Sequence, residues 1–246
     1  MAFLGVIGGL GPMASAYFTE LLTAMTDAKR DQDHLKMLVY SVPSLPDRTD
    51  YILGRSMESP LPGLVEAGKT LSEAGVECLA IPCVTAHYFH NEIERQVGVP
   101  VIHAIRECAW ILKKAGVSKV GLLATDGTVQ SGLFQSEFEK HGLTVVLPGE
   151  EAQKQVMSFI YDDVKKGSVP ALSDFEEVLC ALVKEGAEVV LLGCTELSLL
   201  KKEYGSLCGV LDVMEVLAKA SLEACGMPVR KEYENLIDVV SRSEAV

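Results

Sequence analysis

The stretch Glu73-Ala-Gly-Val-Glu-Cys-Leu-Ala-Ile-Pro-Cys83 lines up without a gap on Lys184-Glu-Gly-Ala-Glu-Val-Val-Leu-Leu-Gly-Cys194, at an offset of 111 residues. At the same offset Gly98-Val99 falls on Gly209-Val210, and at a slightly larger one Gly5-Val6-Ile7-Gly8 resembles Gly121-Leu122-Leu123-Ala124. Self-similarity at a nearly fixed offset over separate segments marks an internal repeat. The chain therefore reads as a duplicated unit, and each copy sets a cysteine directly after a short apolar run.

Working outward, short Val/Ile/Leu runs alternate with helical stretches, the pattern of parallel strands covered by helices on both faces. Strands are expected at Phe3–Ile7, Leu35–Val42, Cys78–Ile81, Val99–Ile102, Val120–Ala124, Thr144–Leu147, Val189–Leu192 and Val210–Leu211. The expected fold class is α/β: two similar doubly wound α/β lobes related by pseudo-twofold symmetry, with the active site in the cleft between them. Ligands of such sheets bind beyond the carboxyl ends of the strands. The duplication puts the first lobe at residues 1–100 plus 212–246 and the second at residues 101–211.

Of the 246 residues 48% are hydrophobic, enough to bury a sizeable core and to exclude disorder as the main state. With 22 Lys+Arg against 34 Asp+Glu, the formal net charge is −12. No stripe of Lys and Arg offsets it, which argues against nucleic acid and anionic membrane as partners. The start, Met1-Ala-Phe-Leu-Gly-Val-Ile-Gly-Gly-Leu10, lacks a positive leader, and its apolar run stops at Gly8 and Gly9. It does not read as a signal peptide. No stretch approaches the ~20 apolar residues of a membrane span, and a cytoplasmic location is the expectation. There free thiols are the rule, and the odd count of seven cysteines agrees. Cys78, Cys180 and Cys225 sit among apolar neighbours as small hydrophobes. The absence of a paired C-x-x-C speaks against structural zinc.

The duplication gives Cys83 and Cys194 a joint reading, because pseudo-symmetry would set their thiols on opposite walls of one cleft. Two thiols flanking one carbon suit removing a proton from one face and returning one to the other, each group acting as base in one direction and acid in the reverse. A free thiol has a pKa of about 8.5, so the site must favour the anion. Both cysteines precede expected helix starts, Thr85-Ala-His87-Tyr-Phe and Thr195-Glu196-Leu-Ser-Leu. Unpaired amides and the helix dipole there favour a thiolate, and could equally hold a substrate carboxylate. The two protonations would be coupled. The alternative, ordinary buried strand-end cysteines, explains one such residue better than two at matching positions.

These residues resemble the cofactor-independent aspartate/glutamate racemases, from about residue 3 to about residue 223. Gly8-Gly9-Leu10-Gly11-Pro12-Met13-Ala14-Ser15 is similar to the family's opening Gly-Gly-Met-Gly-Pro-x-Ala-Thr. Arg30-Asp31-Gln32-Asp33-His34 and Pro43-x-x-Pro46-Asp47-Arg48-Thr49 resemble its next two signatures. Pro82-Cys83-Val84-Thr85-Ala86-His87 resembles Pro-Cys-Asn-Thr-Ala-His, and Gly193-Cys194-Thr195-Glu196 matches Gly-Cys-Thr-Glu. The resemblance implies that Cys83 and Cys194 are the acid/base pair, with no pyridoxal phosphate and no metal. It also implies that Arg48 and Lys165 hold the distal carboxylate of an acidic amino acid, that Thr85, Thr195 and nearby amides fix the α-carboxylate, and that the protein is a homodimer. A planar Arg fork suits a carboxylate, and Lys adds a point charge. The competing readings are an Asp47–Arg48 loop ion pair and a solvated Lys165-Lys166 helix end. Val84 stands where the family usually has Asn, and a Val side chain cannot hydrogen-bond a substrate.

Other patterns compete. Gly9-Leu10-Gly11-Pro12-Met13-Ala14 formally fits the G-x-G-x-x-A dinucleotide fingerprint, but Pro12 removes an N–H where pyrophosphate needs donors. The glycines are expected instead to let the loop pass close to a substrate. Cys83-x-x-x-His87-x-x-His90 offers only three metal ligands without a clear carboxylate partner. His87 and Glu196 are candidates to orient the thiols from behind. The tail from Arg230 suggests a short amphipathic helix. Two functional alternatives stay open: a maleate isomerase- or decarboxylase-like enzyme on small dicarboxylates, and a non-catalytic binding protein for an acidic metabolite.

Overall fold

In the computed structural model, residues 2–205, 207 and 209–237 are described. The chain forms two compact units: Met1–Ala104 with Met214–Glu234, and Ile105–Val213 with the chain from Asn235 on. In the first, strands β1 (Leu4–Gly8), β2 (Met37–Ser41) and β3 (Cys78–Ala80) form a parallel sheet in the order β2-β1-β3. In the second, β4 (Lys119–Leu123), β5 (Thr144–Val146), β6 (Val189–Leu192) and β7 (Val210–Asp212) form a parallel sheet in the order β5-β4-β6-β7.

The duplication is visible in the registers. Gly5 pairs with Leu79 as Gly121 pairs with Val190, and Leu79 bridges to Val101 as Val190 pairs with Val210. The two glycines are equivalent for a packing reason. A Cβ on Gly5 would lie 2.7 Å from the Leu79 side chain, and one on Gly121 would lie 3.0 Å from Leu182.

The expected strand Val99–Ile102 is reduced to the single Val101 bridge. Pro100 has no N–H, so the ladder cannot extend backward; the Pro100 carbonyl accepts from Leu79 and Ile102 donates to Leu79. The other expected strands are found with ends displaced by up to two residues.

Helices α1 (Pro12–Met25), α2 (Arg48–Ile52), α3 (Leu61–Glu73), α4 (His90–Val97) and α5 (Ala104–Lys114) belong to the first half of the chain. Pro12 opens α1 behind Gly11, and Ala14, Tyr17, Phe18, Leu21, Leu22 and Met25 bury one face at helical spacing. Helices α6 (Asp126–Ser131), α7 (Leu133–Glu139), α8 (Glu150–Ser158), α9 (Leu172–Lys184), α10 (Thr195–Tyr204) and α11 (Val213–Ala224) follow. Each unit has its own core, one around Ile7, Leu71, Leu79 and Ile93, the other around Leu123, Ile160, Phe175, Val190 and Leu192. A fully buried Phe or Leu of this kind contributes about 2–3 kcal/mol.

The tail docks as an extended segment. Val229 bridges antiparallel to Thr26, and Arg230 donates from its backbone to Met25 and from Nε to Thr26. Among the described residues that follow, the tail makes the 3₁₀ turn Lys231–Tyr233, and the expected helix from residue 238 on lies outside the described residues. Among the described residues no helix is long and apolar enough to cross a membrane.

Candidate active site

In the first unit, β3 ends before Pro82, and Cys83 takes an extended conformation (φ −152°, ψ 104°) at the N-cap of a 3₁₀ turn, Val84–Phe89. Cys83, Val84, Thr85 and His87 are all buried. The His87 ring joins two segments. Its Nε2 accepts the Ala104 N–H at 3.2 Å, which leaves the proton on Nδ1, donated to the Cys83 carbonyl at 3.1 Å. Burial and the nearby His103 and His90 push its pKa down to about 3. His87 is thus a neutral brace that touches the Cys83 backbone at its carbonyl.

Arg48 lies buried at the start of α2, whose cap is Asp47 Oδ1 accepting the Asp50 N–H at 3.0 Å. Its guanidinium donates to the Pro46 carbonyl at 3.2 Å and to the Leu10 carbonyl at 3.3 Å. The glycine loop is therefore tied to Arg48. Within that loop Gly9 has φ +89°, and a Cβ there would lie 2.6 Å from the Val42 backbone nitrogen. Only glycine fits. The close approach that requires it is to the Val42-Pro43 backbone, where the sequence suggested a substrate. The Gly9 N–H is taken by Ser15 Oγ at 2.8 Å, so the loop amide a pyrophosphate would use already has a partner.

In the second unit, β6 leads through Gly193 to Cys194, the N-cap of α10 (φ −135°, ψ 133°). The Cys194 thiol donates to Glu196 Oε2 at 3.0 Å, and Thr195 Oγ1 lies 3.4 Å from the same oxygen. Cys194, Thr195 and Glu196 are all buried. Burial first, then the Glu196 charge and its hydrogen bond, push the Cys194 pKa well above a normal thiol; the Glu196 backbone N–H and the Lys165 charge pull more weakly the other way. At neutral pH Cys194 is a protonated thiol with its proton directed at a carboxylate. Lys165 is exposed on the 3₁₀ turn Val164–Lys166, behind a π-helical turn at Phe159–Asp163, with its Nζ 3.8 Å above the Tyr161 ring.

Each unit thus gathers its own half of the expected residues: Cys83, Val84, Thr85, His87 and Arg48 in one, Cys194, Thr195, Glu196 and Lys165 in the other. At the offset of 111, His87 corresponds to Ser198 and Thr85 to Glu196. Ser198, unremarked from sequence, is fully buried and donates to Asp212 Oδ1 at 2.6 Å. It ties the turn after Cys194 to the end of β7, as His87 ties the turn after Cys83 to the start of α5. The offset applied to His87 points to it directly.

His87, His90 and His103 cluster, with ring centroids 4.3 to 6.0 Å apart. His87 contacts backbone as above, and His90 Nε2 lies 2.8 Å from the Val101 carbonyl. Among the described residues no group of three or more His, Cys, Asp or Glu is placed to hold a metal. Cys180, expected among apolar neighbours, is exposed.

Two repeated parallel α/β units, each with a buried cysteine capping the turn that follows the corresponding strand, define the class of protein. The sequence model of the Asp/Glu/Hydantoin racemase family matches residues 7–221, and the chain belongs to that family. It is similar to the broad specificity amino-acid racemase RacX of Bacillus subtilis (strain 168), with 23% identity over 89% of this chain and 96% of that one. Among solved structures, it resembles the aspartate racemase of Picrophilus torridus at 31% identity and a TM-score of 0.80, covering 97% of this chain and 100% of that one. An aspartate racemase homologue from Pyrococcus horikoshii OT3 is similar at 27% identity and a TM-score of 0.75, over 92% and 100% of the two chains. These relatives support an isomerase of the amino-acid racemase kind.

Proposed function

We propose that the protein interconverts the L and D forms of aspartate and/or glutamate without a cofactor, with Cys83 and Cys194 acting on opposite faces of one α-carbon. The supporting observation is the equivalence of the two cysteines: each follows the corresponding strand of a repeated sheet and caps the turn after it. In one direction the Cys83 thiolate removes the α-proton and Cys194, held as a thiol beside Glu196, delivers its own proton to the other face. In the reverse direction the roles exchange. The amides opening the turns at Val84–Thr85 and Thr195–Glu196, with the Thr85 and Thr195 hydroxyls, hold the α-carboxylate and stabilise the charge that develops at the carbon. Arg48 and Lys165 take the distal carboxylate. No pyridoxal phosphate or metal enters the reaction. A homodimer completes the proposal, on the family resemblance alone.

The test is proton exchange in D₂O, followed by NMR and chiral chromatography, with both enantiomers of aspartate and of glutamate. Deuterium at Cα accompanied by formation of the opposite enantiomer is expected for at least one pair. Turnover of maleate or substituted malonates with none of the amino acids would replace the reading by dicarboxylate isomerisation or decarboxylation. Saturable binding with Cα–H intact would leave a binding protein.

A further inference from the structure

Away from Cys83 and Cys194, two other cysteines meet. Cys78 opens β3 and Cys225 follows the end of α11, 147 residues later, yet their sulfurs are 3.5 Å apart within the first unit, with one S–H donating to the other sulfur. The pair lies at the amino end of β3, on the order of 15 Å from Cys83 at the opposite end.

We propose that Cys78 and Cys225 are a reversible oxidation site, a dithiol that closes to a disulfide and staples the returning C-terminal segment to the sheet. The step needs a two-electron oxidant, taken here as a hydroperoxide. The Cys78 thiolate attacks the peroxide oxygen and becomes a sulfenic acid as the O–O bond breaks. The Cys225 sulfur then attacks the Cys78 sulfur, forms the S–S bond and releases water. Overall two thiols and one hydrogen peroxide give one disulfide and two waters.

Five observations support the site. The sulfurs need to approach by only about 1.5 Å to reach bonding distance. Cys225 is followed by Gly226 at φ +69°, and its carbonyl accepts the Ala2 N–H, so the helix end, the N-terminal segment and β3 converge there. The shared hydrogen bond also divides the roles: it holds the Cys78 thiol below its usual pKa, and with burial it holds Cys225 above. With its greater exposure, this makes Cys78 the sulfur that meets the peroxide first. The residue keeps 7% exposure, against 2% for Cys225, an edge that a molecule the size of hydrogen peroxide can reach. The loop closed by the bond would contain the whole segment Ile105–Val213 of the second unit, so the constraint on the unfolded chain is large for a protein of this size.

The test oxidises the full-length protein with hydrogen peroxide until the exposed Cys180 is modified, then alkylates the remaining thiols under denaturing conditions and maps the peptides by mass. The expected product is a Cys78–Cys225 cross-linked peptide pair, two hydrogens lighter than the sum of its thiols and lost on reduction. It is accompanied by a rise in Tm on the order of 10 °C over the reduced protein. In Cys225→Ser both changes disappear. The peptide map of the unmutated protein decides the question even where that variant fails to fold. Cys180 oxidised while Cys78 and Cys225 remain alkylatable, or Cys225 joined to a different cysteine, overturns the proposal. Racemase assays are not the readout, because peroxide also attacks Cys83 and Cys194; the site stands or falls independently of the racemase reading.

Discussion

On the Cys194 side of the repeat the strand runs into a ten-residue α-helix whose second residue, Glu196, lays a buried carboxylate against the sulfur. On the Cys83 side the equivalent strand runs into a six-residue 3₁₀ turn whose fourth residue, His87, is a neutral imidazole bonded to the cysteine carbonyl. The strand and the capping cysteine are common to both copies, while the turn after the cysteine and the charge beside it differ. The proposed two-thiol reaction needs one thiol and one thiolate at the same moment, and the carboxylate beside Cys194 favours the protonated form there. In the proposed reaction this makes Cys194 the side that rests as the proton donor.

The sharpest break of the comparison is removal of either sulfur. Cys83→Ser and Cys194→Ser are each expected to lower kcat by at least ~10³-fold, because a serine hydroxyl is far too weakly acidic to exchange the α-proton. Racemisation of the four enantiomers measures it. Parent-like rates in either variant would end the two-thiol mechanism.

The His87 brace makes a prediction about acid stability that the Cys194 half does not share. Above pH 6.5 His87 is neutral folded and unfolded, so its contribution is complete there. As pH falls from 6.5 toward the folded value of about 3, the unfolded chain takes up a proton that the folded site refuses, and stability is lost. At pH 4.5 the loss reaches up to roughly 3 kcal/mol. Urea midpoints between pH 7 and pH 4.5 measure it. His87→Gln, which keeps a donor and an acceptor without titrating in this range, should flatten the slope; an unchanged slope would place the acid sensitivity elsewhere.

Glu196→Gln removes the charge that opposes the Cys194 thiolate while keeping a polar group of the same size. The Cys194 pKa is then expected to fall, and its alkylation by iodoacetamide at pH 7.5 to quicken by about 10-fold, with Cys83 labelling unchanged. kcat should drop by about 10- to 100-fold, because the proton donor is no longer held protonated. Equal acceleration at both cysteines would mean that Glu196 acts through the fold and not on its own sulfur.

Much of this was legible from the sequence because it rests on backbone periodicity. The ungapped match around Cys83 and Cys194 located the paired strands, and Gly5 and Gly121 sit in matching registers because the same close packing excludes a side chain at both. What escaped was side-chain direction. Residue spacing put His87 and Glu196 in similar roles, but rotation through a 3₁₀ turn carries His87 back to a carbonyl, and an α-helical first turn carries Glu196 onto the thiol. Ser198 and Asp212 were invisible for a related reason: a serine in a polar helix and an aspartate after a strand look solvated until a buried 2.6 Å hydrogen bond joins them. The Cys78–Cys225 contact spans 147 positions that no local pattern records.

The smallest expected effect tests whether the two halves can be exchanged at the residue after each cysteine. Val84 and Thr195 occupy equivalent positions and both are buried, but only Thr195 has a hydroxyl, 3.4 Å from Glu196 Oε2. Thr195→Val removes that neutral donor from a carboxylate and, in the proposed site, one contact to the substrate. KM is expected to rise about 5- to 10-fold, in line with the loss of a single hydrogen bond of roughly 1 kcal/mol. Val84→Thr adds a hydroxyl where no Glu196 counterpart stands, since Thr85 fills that position. The added group must find a backbone or substrate acceptor or cost about 1 to 3 kcal/mol of stability. A lowered Tm with KM changed by less than about 3-fold is therefore expected. If Val84→Thr instead lowered KM as much as Thr195→Val raised it, the first half-site would bind substrate through the same position as the second. The divergence of the two copies would then be confined to Glu196 and His87.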